Sequence, residues 1–190
     1  MGIAWPRRAV YRVRQFLRAV TADSRPLAAD ERDEAQAWLP ENARLLFDGM
    51  PRNDQRHSLN VLRSLRAAGH DDPALMQAAL LHDVAKSAGG VRLFHRVAVV
   101  LLKIALPGWA ERRAQTQAPA RRDLRYPFWV HANHPRLGAD MAAEAGCDPV
   151  TVTLIREHQA TGRGAAMREQ RSGGEFERQL TALQAADDDN

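Results

Sequence analysis

Residues 73–85 read PALMQAALLHDVA. Wound as a helix, this segment is apolar on nearly every face, so other elements must enclose it. Helical periodicity runs through the rest of the chain, and no stretch alternates as a half-buried strand would. The fold class expected is therefore all-α, a helical bundle. Three dipeptides mark helix starts: Asp72-Pro73, His134-Pro135 and Asp148-Pro149 each place a cap before a proline at the first helical position. Helices are expected at 51–68, ending at Gly69, and at 73–85, 91–106, 135–145, 149–160 and 174–188. A Pro-, Arg- and Gln-rich connection covers 107–127, and the loop TGRG covers 161–164. No internal repeat is read.

A chain of 190 residues with 45% hydrophobic and 26% charged residues is long and apolar enough for one globular domain with a core. Residues 1–50 read as two or three short amphipathic helices broken at Pro26 and Pro40. They form a helical N-terminal extension packed on a domain at 51–190. The one cysteine, Cys147, excludes an intramolecular disulfide and fits a reducing compartment. No apolar signal core precedes a small-residue cleavage site, so a cytoplasmic location is expected. The run VAVVLLKIAL at 97–106 is too short to span a bilayer and carries Lys103. With its flanks, FHRVAVVLLKIALPGW reads as a core helix or a homodimer surface, with peripheral membrane contact as the alternative. The net charge of +4 is carried almost wholly by Arg. These Arg residues read as a solvated surface, and no specific nucleic-acid motif accompanies them.

The chemistry centres on LLHDVAK, residues 80–86. A buried carboxylate such as Asp83 is costly unless hydrogen bonds or a cation satisfy it. A divalent cation accepts a carboxylate and an imidazole together. His57 lies at the edge of the stripe Val61, Leu62, Leu65. His158 lies one turn after Leu154 and Ile155. His134 opens its expected helix, with Gly138 one turn later leaving space beside the imidazole. Four histidines on four helices, all at apolar edges, fit one shared site. His131, three residues before His134, competes for the same place. On the last helix Phe176, Leu180 and Leu183 define a stripe that continues to Asp187 and turns Asp188 and Asp189 away. Removing residues 187–190 is thus expected to disarm the site.

This set resembles the HD superfamily of metal-dependent phosphohydrolases. ALLHDVAK supplies the His-Asp pair, and HPRLGADMAAEAG followed by TLIREHQATGRG is similar to the six-ligand group with the order H…HD…H…H…D. That group includes HD-GYP phosphodiesterases and HD-type diadenosine tetraphosphate hydrolases. The likeness covers about 51–190. No GYP signature is present, so cyclic di-GMP hydrolysis is not implied. Gln159 stands where the diadenosine hydrolases carry Thr.

The resemblance implies metal ligation by His57, His82, Asp83, His134, His158 and Asp187. His57, His82, Asp83 and Asp187 would hold one ion, and His134 and His158 a second, with Asp83 bridging. A mixed N/O donor set suits one or two divalent transition metal ions, Fe or Mn first, with Mg, Co or Ni also compatible. The implied activity is cleavage of a phosphoester or phosphoanhydride, in a small phosphorylated molecule such as a nucleotide, by a metal-activated hydroxide. Asp83 and Lys86 would be the catalytic residues. Lys86 and Arg163 would contact substrate phosphate. The alternative function is a non-catalytic HD-type regulatory or ligand-sensing module.

Overall fold

The computed structural model describes residues 25–88, 117–123, 125–160 and 165–190. Every regular element among them is an α-helix. In chain order these are α1 (Ala29–Gln36), α2 (Glu41–Asp48), α3 (Arg52–Ala67), α4 (Pro73–Leu81), α5 (Val84–Ala88), α6 (Tyr126–Glu144), α7 (Pro149–Glu157) and α8 (Ala165–Asp189). The first 24 residues, the expected helix at 91–106, most of the connection 107–127 and the loop carrying Arg163 lie outside the described residues. Among the described residues, no helix is long and apolar enough to cross a membrane.

The apolar segment behaves as its composition demands. Leu75, Met76, Ala78, Ala79, Leu80 and Leu81 are all fully buried, and α4 packs against α2, α3, α7 and α8. One continuous core joins Phe47, Leu59, Leu62, Leu80, Leu154 and Leu183. Ala35, Leu39, Ala43 and Met50 belong to that same cluster, so α1 and α2 share the core of the later helices.

Two helix hairpins build the centre of the molecule. In the first, α3 ends in a turn where Gly69 takes φ +88°; in the second, α6 ends at Gly146 with φ +81°. A residue with a β-carbon resists that backbone, and glycine does not. Both turns are Schellman motifs: the His70 and Gly69 amides donate to Leu65 and Arg66 carbonyls, and the Cys147 and Gly146 amides to Ala142 and Ala143 carbonyls. An Asp-Pro pair then restarts the chain. Asp72 Oδ1 accepts from the Ala74 and Leu75 amides, and Asp148 Oδ1 accepts from the Val150 amide.

The hairpins also share their spacing. Gly69 follows His57 by the same twelve residues that separate Gly146 from His134. His82 follows Pro73 by the same nine that separate His158 from Pro149. The second helices, α4 and α7, lie side by side and parallel. Their capping residues Asp72, Pro73, Asp148 and Pro149 line one cavity of about 870 Å³, while His82 and His158 meet at the other end. Thr151 ties the pair by donating its hydroxyl to the Ala74 carbonyl at 3.0 Å.

Three element expectations are corrected. The helix expected at 73–85 breaks into α4 and α5, with a turn at His82-Asp83. His134-Pro135 is not a helix start: α6 runs from Tyr126 to Glu144 with Pro135 inside it. An interior proline removes one helical hydrogen bond and costs about 3 kcal/mol. A side chain offsets the loss here: His134 Nδ1 donates to the His131 carbonyl, the acceptor the proline leaves without its amide, at 2.6 Å. Burial of Trp129 and Val130 holds the added N-terminal turns. Finally, α8 begins at Ala165, well before the expected 174.

Candidate metal centre

The chain brings six side chains together. His82 and His158 stand just past the C-terminal ends of α4 and α7. Asp83 follows in the turn, His57 projects from α3, His134 from α6 and Asp187 from the last turn of α8. The four imidazoles form a row, with ring centroids 5.4 Å apart for His57 and His82, 5.2 Å for His82 and His158, and 5.2 Å for His158 and His134.

Hydrogen bonding decides which nitrogen of each buried ring carries the proton. His82 Nδ1 lies 2.9 Å from the Ala79 carbonyl, His134 Nδ1 2.6 Å from the His131 carbonyl, and His158 Nδ1 2.7 Å from the Ile155 carbonyl. A carbonyl only accepts, so Nδ1 must donate in all three. Each neutral ring therefore presents a lone pair at Nε2. Those three Nε2 atoms, together with Asp83 Oδ1, are buried without a hydrogen-bond partner. They face one another: His134 Nε2 is 3.4 Å from Asp83 Oδ1, and His158 Nε2 is 4.0 Å from it. Lone pairs converging on lone pairs, away from water, call for a cation between them.

Two donor triads share one residue. His57, His82 and Asp83 form one, and Asp83, His134 and His158 the other, each with ligand atoms mutually within 4.8 Å. Asp187 joins the first, its Oδ1 lying 2.9 Å from His57 Nε2 and 3.3 Å from His82 Nε2. Nitrogen and carboxylate donors at these positions could hold a metal ion. The negative ends of the α4 and α7 dipoles also terminate at the cluster, which favours positive charge there.

Protonation follows from burial and neighbours. Desolvation, then the nearby His82 and His134, hold His158 down to about 3, so it is neutral near pH 7. His134 is lowered too, by burial and then by the Lys86 ammonium. Burial alone would lower His82, but the Asp83 and Asp187 carboxylates outweigh it and raise it. Burial pushes the Asp83 carboxyl up, yet Lys86, His82 and His134 together hold it well below the carboxylate range. Asp187 is likewise lowered: burial opposes ionisation, while His57 and His82 overcome it.

Other candidate residues fall as follows. Lys86 places its Nζ 2.6 Å from Asp83 Oδ2, leaving Oδ1 to face His134 and His158. His131 is only half-buried and contributes its backbone carbonyl, so His134 is the residue that enters the cluster. Gly138 does not open space beside the His134 ring. A β-carbon there would meet Ile155 Cγ2 and Val84 Cγ1 at 3.4 Å and the His82 carbonyl at 3.7 Å, so the glycine lets α6 approach α5 and α7. Asp188 and Asp189 are exposed. Asn190 is held, donating to Ser64 Oγ at 3.0 Å and to the Ala186 carbonyl at 2.8 Å.

Two contributors escape a reading of sequence. Gln184, on α8, donates to the His158 and Ala160 carbonyls at 3.0 and 3.3 Å and closes the end of α7. Its only sequence signal is its place between Leu183 and the aspartates. Pro135 is the second; its signal is the proline directly after a histidine of the cluster. The helical fold with its buried His/Asp cluster is compatible with an HD domain. Comparison with protein-family models, curated proteins and solved structures returned no significant match.

Proposed function

We propose that this protein is a metal-dependent phosphohydrolase of the HD type, acting on a phosphoester or phosphoanhydride in a small phosphorylated molecule such as a nucleotide. One observation carries the reading. The Nε2 atoms of three buried histidines and one buried carboxylate oxygen gather without a hydrogen-bond partner, and two of those nitrogens, on the neutral His134 and His158, face that oxygen. A scaffold has no use for so costly an arrangement, and a cation relieves it.

Divalent ions bound there would supply a Lewis acid for a phosphoryl oxygen and an activated water as nucleophile. His57, His82 and Asp187 would hold one ion, His134 and His158 the other, and Asp83 would contribute to both. Lys86 neutralises the outer oxygen of Asp83 and is near enough to offset charge developing on a substrate phosphate. His57 and Asp187 mark the open side, with side chains 25% and 27% exposed, so substrate would enter past them. Cys147 is no rival nucleophile: burial pushes its thiol up to about 11, and it packs in the core.

The test is a panel of nucleotides and phosphoesters offered to protein loaded with Mn(II) or Fe(II). Phosphate or nucleotide release that disappears in Asp83→Asn is the expected result. Tight nucleotide binding without turnover by fully loaded protein would replace this reading with the non-catalytic sensing module.

A further inference from the structure

We infer that Pro135 is a positioning residue for the metal centre, acting through His134; the metal part of this inference rests on the reading above. His82 and His158 take their orienting carbonyls from helix ends. Ala79 and Ile155 lie in the last turns of α4 and α7, where carbonyls have lost their amide partners. His134 has no such end to use. It sits in the middle of α6, where the His131 carbonyl would ordinarily be taken by the amide of residue 135. Proline at 135 has no amide hydrogen, and its ring pushes that carbonyl off the helix axis. The His131 carbonyl is thereby released to accept from His134 Nδ1, at 2.6 Å. The proline thus does inside a helix what termination does for the other two rings.

The consequence is a choice of tautomer. With Nδ1 committed as donor, Nε2 keeps its lone pair toward Asp83 Oδ1, 3.4 Å away. An alanine at 135 returns an amide hydrogen to the His131 carbonyl and draws it back to the axis. The imidazole then gains from the opposite tautomer, whose Nε2–H donates to Asp83 Oδ1. That hydrogen bond occupies both donor atoms a cation would need. Loss of an orienting partner of this kind weakens metal affinity by about 10- to 100-fold.

The experiment uses the full chain, stripped of metal, in three forms: unaltered, Pro135→Ala, and Pro149→Ala as a control. Pro149 stands at the first position of α7, where its missing amide hydrogen has no helical acceptor to serve. Imidazole nitrogen NMR of the metal-free proteins reads the tautomer of His134. Calorimetric titration with Co(II) alone reads affinity, and thermal melts read stability. The unaltered chain and Pro149→Ala should hold His134 with hydrogen on Nδ1 and bind Co(II) alike. Pro135→Ala should melt no lower, show Nε2–H at His134, and lose about tenfold or more in affinity at one site while the other is unchanged. Unchanged tautomer in Pro135→Ala would overturn the inference, as would equal weakening of both sites alongside a lower melting temperature. Should none of the three proteins bind Co(II), the metal reading fails by itself; the tautomer comparison still decides whether Pro135 positions His134.

Discussion

At the scale of single residues, Asp83 is the pivot. Its Oδ1 faces His134 and His158, its Oδ2 faces Lys86 and His82, and it belongs to both donor triads. Substitutions should therefore be unequal. Asp83→Asn should remove both metal equivalents, whereas His57→Ala and His134→Ala should each remove one, as elemental analysis after loading and gel filtration would show. Acid sensitivity of the metal-free protein belongs to this scale as well. His158 sits near 3 in the folded chain against an ordinary 6.5. The unfolded chain thus binds the proton first, so the stability it contributes is complete above about pH 6.5 and falls as pH drops toward 3. His82 is shifted upward and acts in the opposite sense. Metal-free His158→Gln should accordingly lose less melting temperature between pH 6.5 and 4 than the unaltered chain; an equal loss would show that His158 is not held neutral. Periodicity makes the carboxylate of Asp187 legible, because Leu180 and Leu183 are fully buried and fix its face. The tautomers are not legible. They depend on which carbonyls lack partners, and that depends on where helices actually stop.

At the scale of elements, the two hairpins do the placing. Each supplies a histidine from its first helix and another from the end of its second, so α3–α4 and α6–α7 bring four rings into one row. Their turns are clear in the sequence as Gly69 with Asp72-Pro73 and Gly146 with Asp148-Pro149. Their equal spacing goes unread because almost every side chain between differs. The same proline rule that marks α4 and α7 correctly misplaces the start of α6, since Pro135 looks like a first-turn residue until the His134 side chain satisfies the freed His131 carbonyl. The break at His82-Asp83 is hidden for a different reason: the segment stays apolar across it, so periodicity registers no end. The caps should be separable from the chemistry. Asp72→Ala removes an acceptor for two amides and should cost about 1 kcal/mol in chemical denaturation. Metal stoichiometry should remain unchanged, because Asp72 lies at the far end of α4 from His82. Lost metal in that variant would mean that the centre depends on the whole hairpin rather than on its ligand end.

At the scale of the whole molecule, stability and function meet in one core. Phe47 on α2, Leu59 and Leu62 on α3, Leu80 on α4, Leu154 on α7 and Leu183 on α8 are fully buried in a single cluster built largely from the same helices that carry the His/Asp group. Phe47→Ala should destabilise the fold by about 3–5 kcal/mol. Because Phe47 is not one of the donor residues, the surviving folded fraction should still load metal. A ligand that binds only the folded state raises its stability by mass action, so Mn(II) should raise the melting temperature and a chelator should reverse the gain. The all-α class and the enclosure of α4 were readable from composition and periodicity alone. The depth at which α1 and α2 enter the core was less so, because Ala35, Leu39 and Ala43 form too short a stripe to assign to a partner.

The central claim is that six side chains form one divalent metal centre hinged on Asp83. The most direct measurement is metal content of the purified full chain after loading with Mn(II) or Fe(II), beside Asp83→Asn treated identically, with circular dichroism to confirm that both are folded. Two equivalents in the unaltered chain and none in the variant is the result expected. A folded, unaltered chain that retains no metal, or a variant that retains as much as its parent, would contradict the claim.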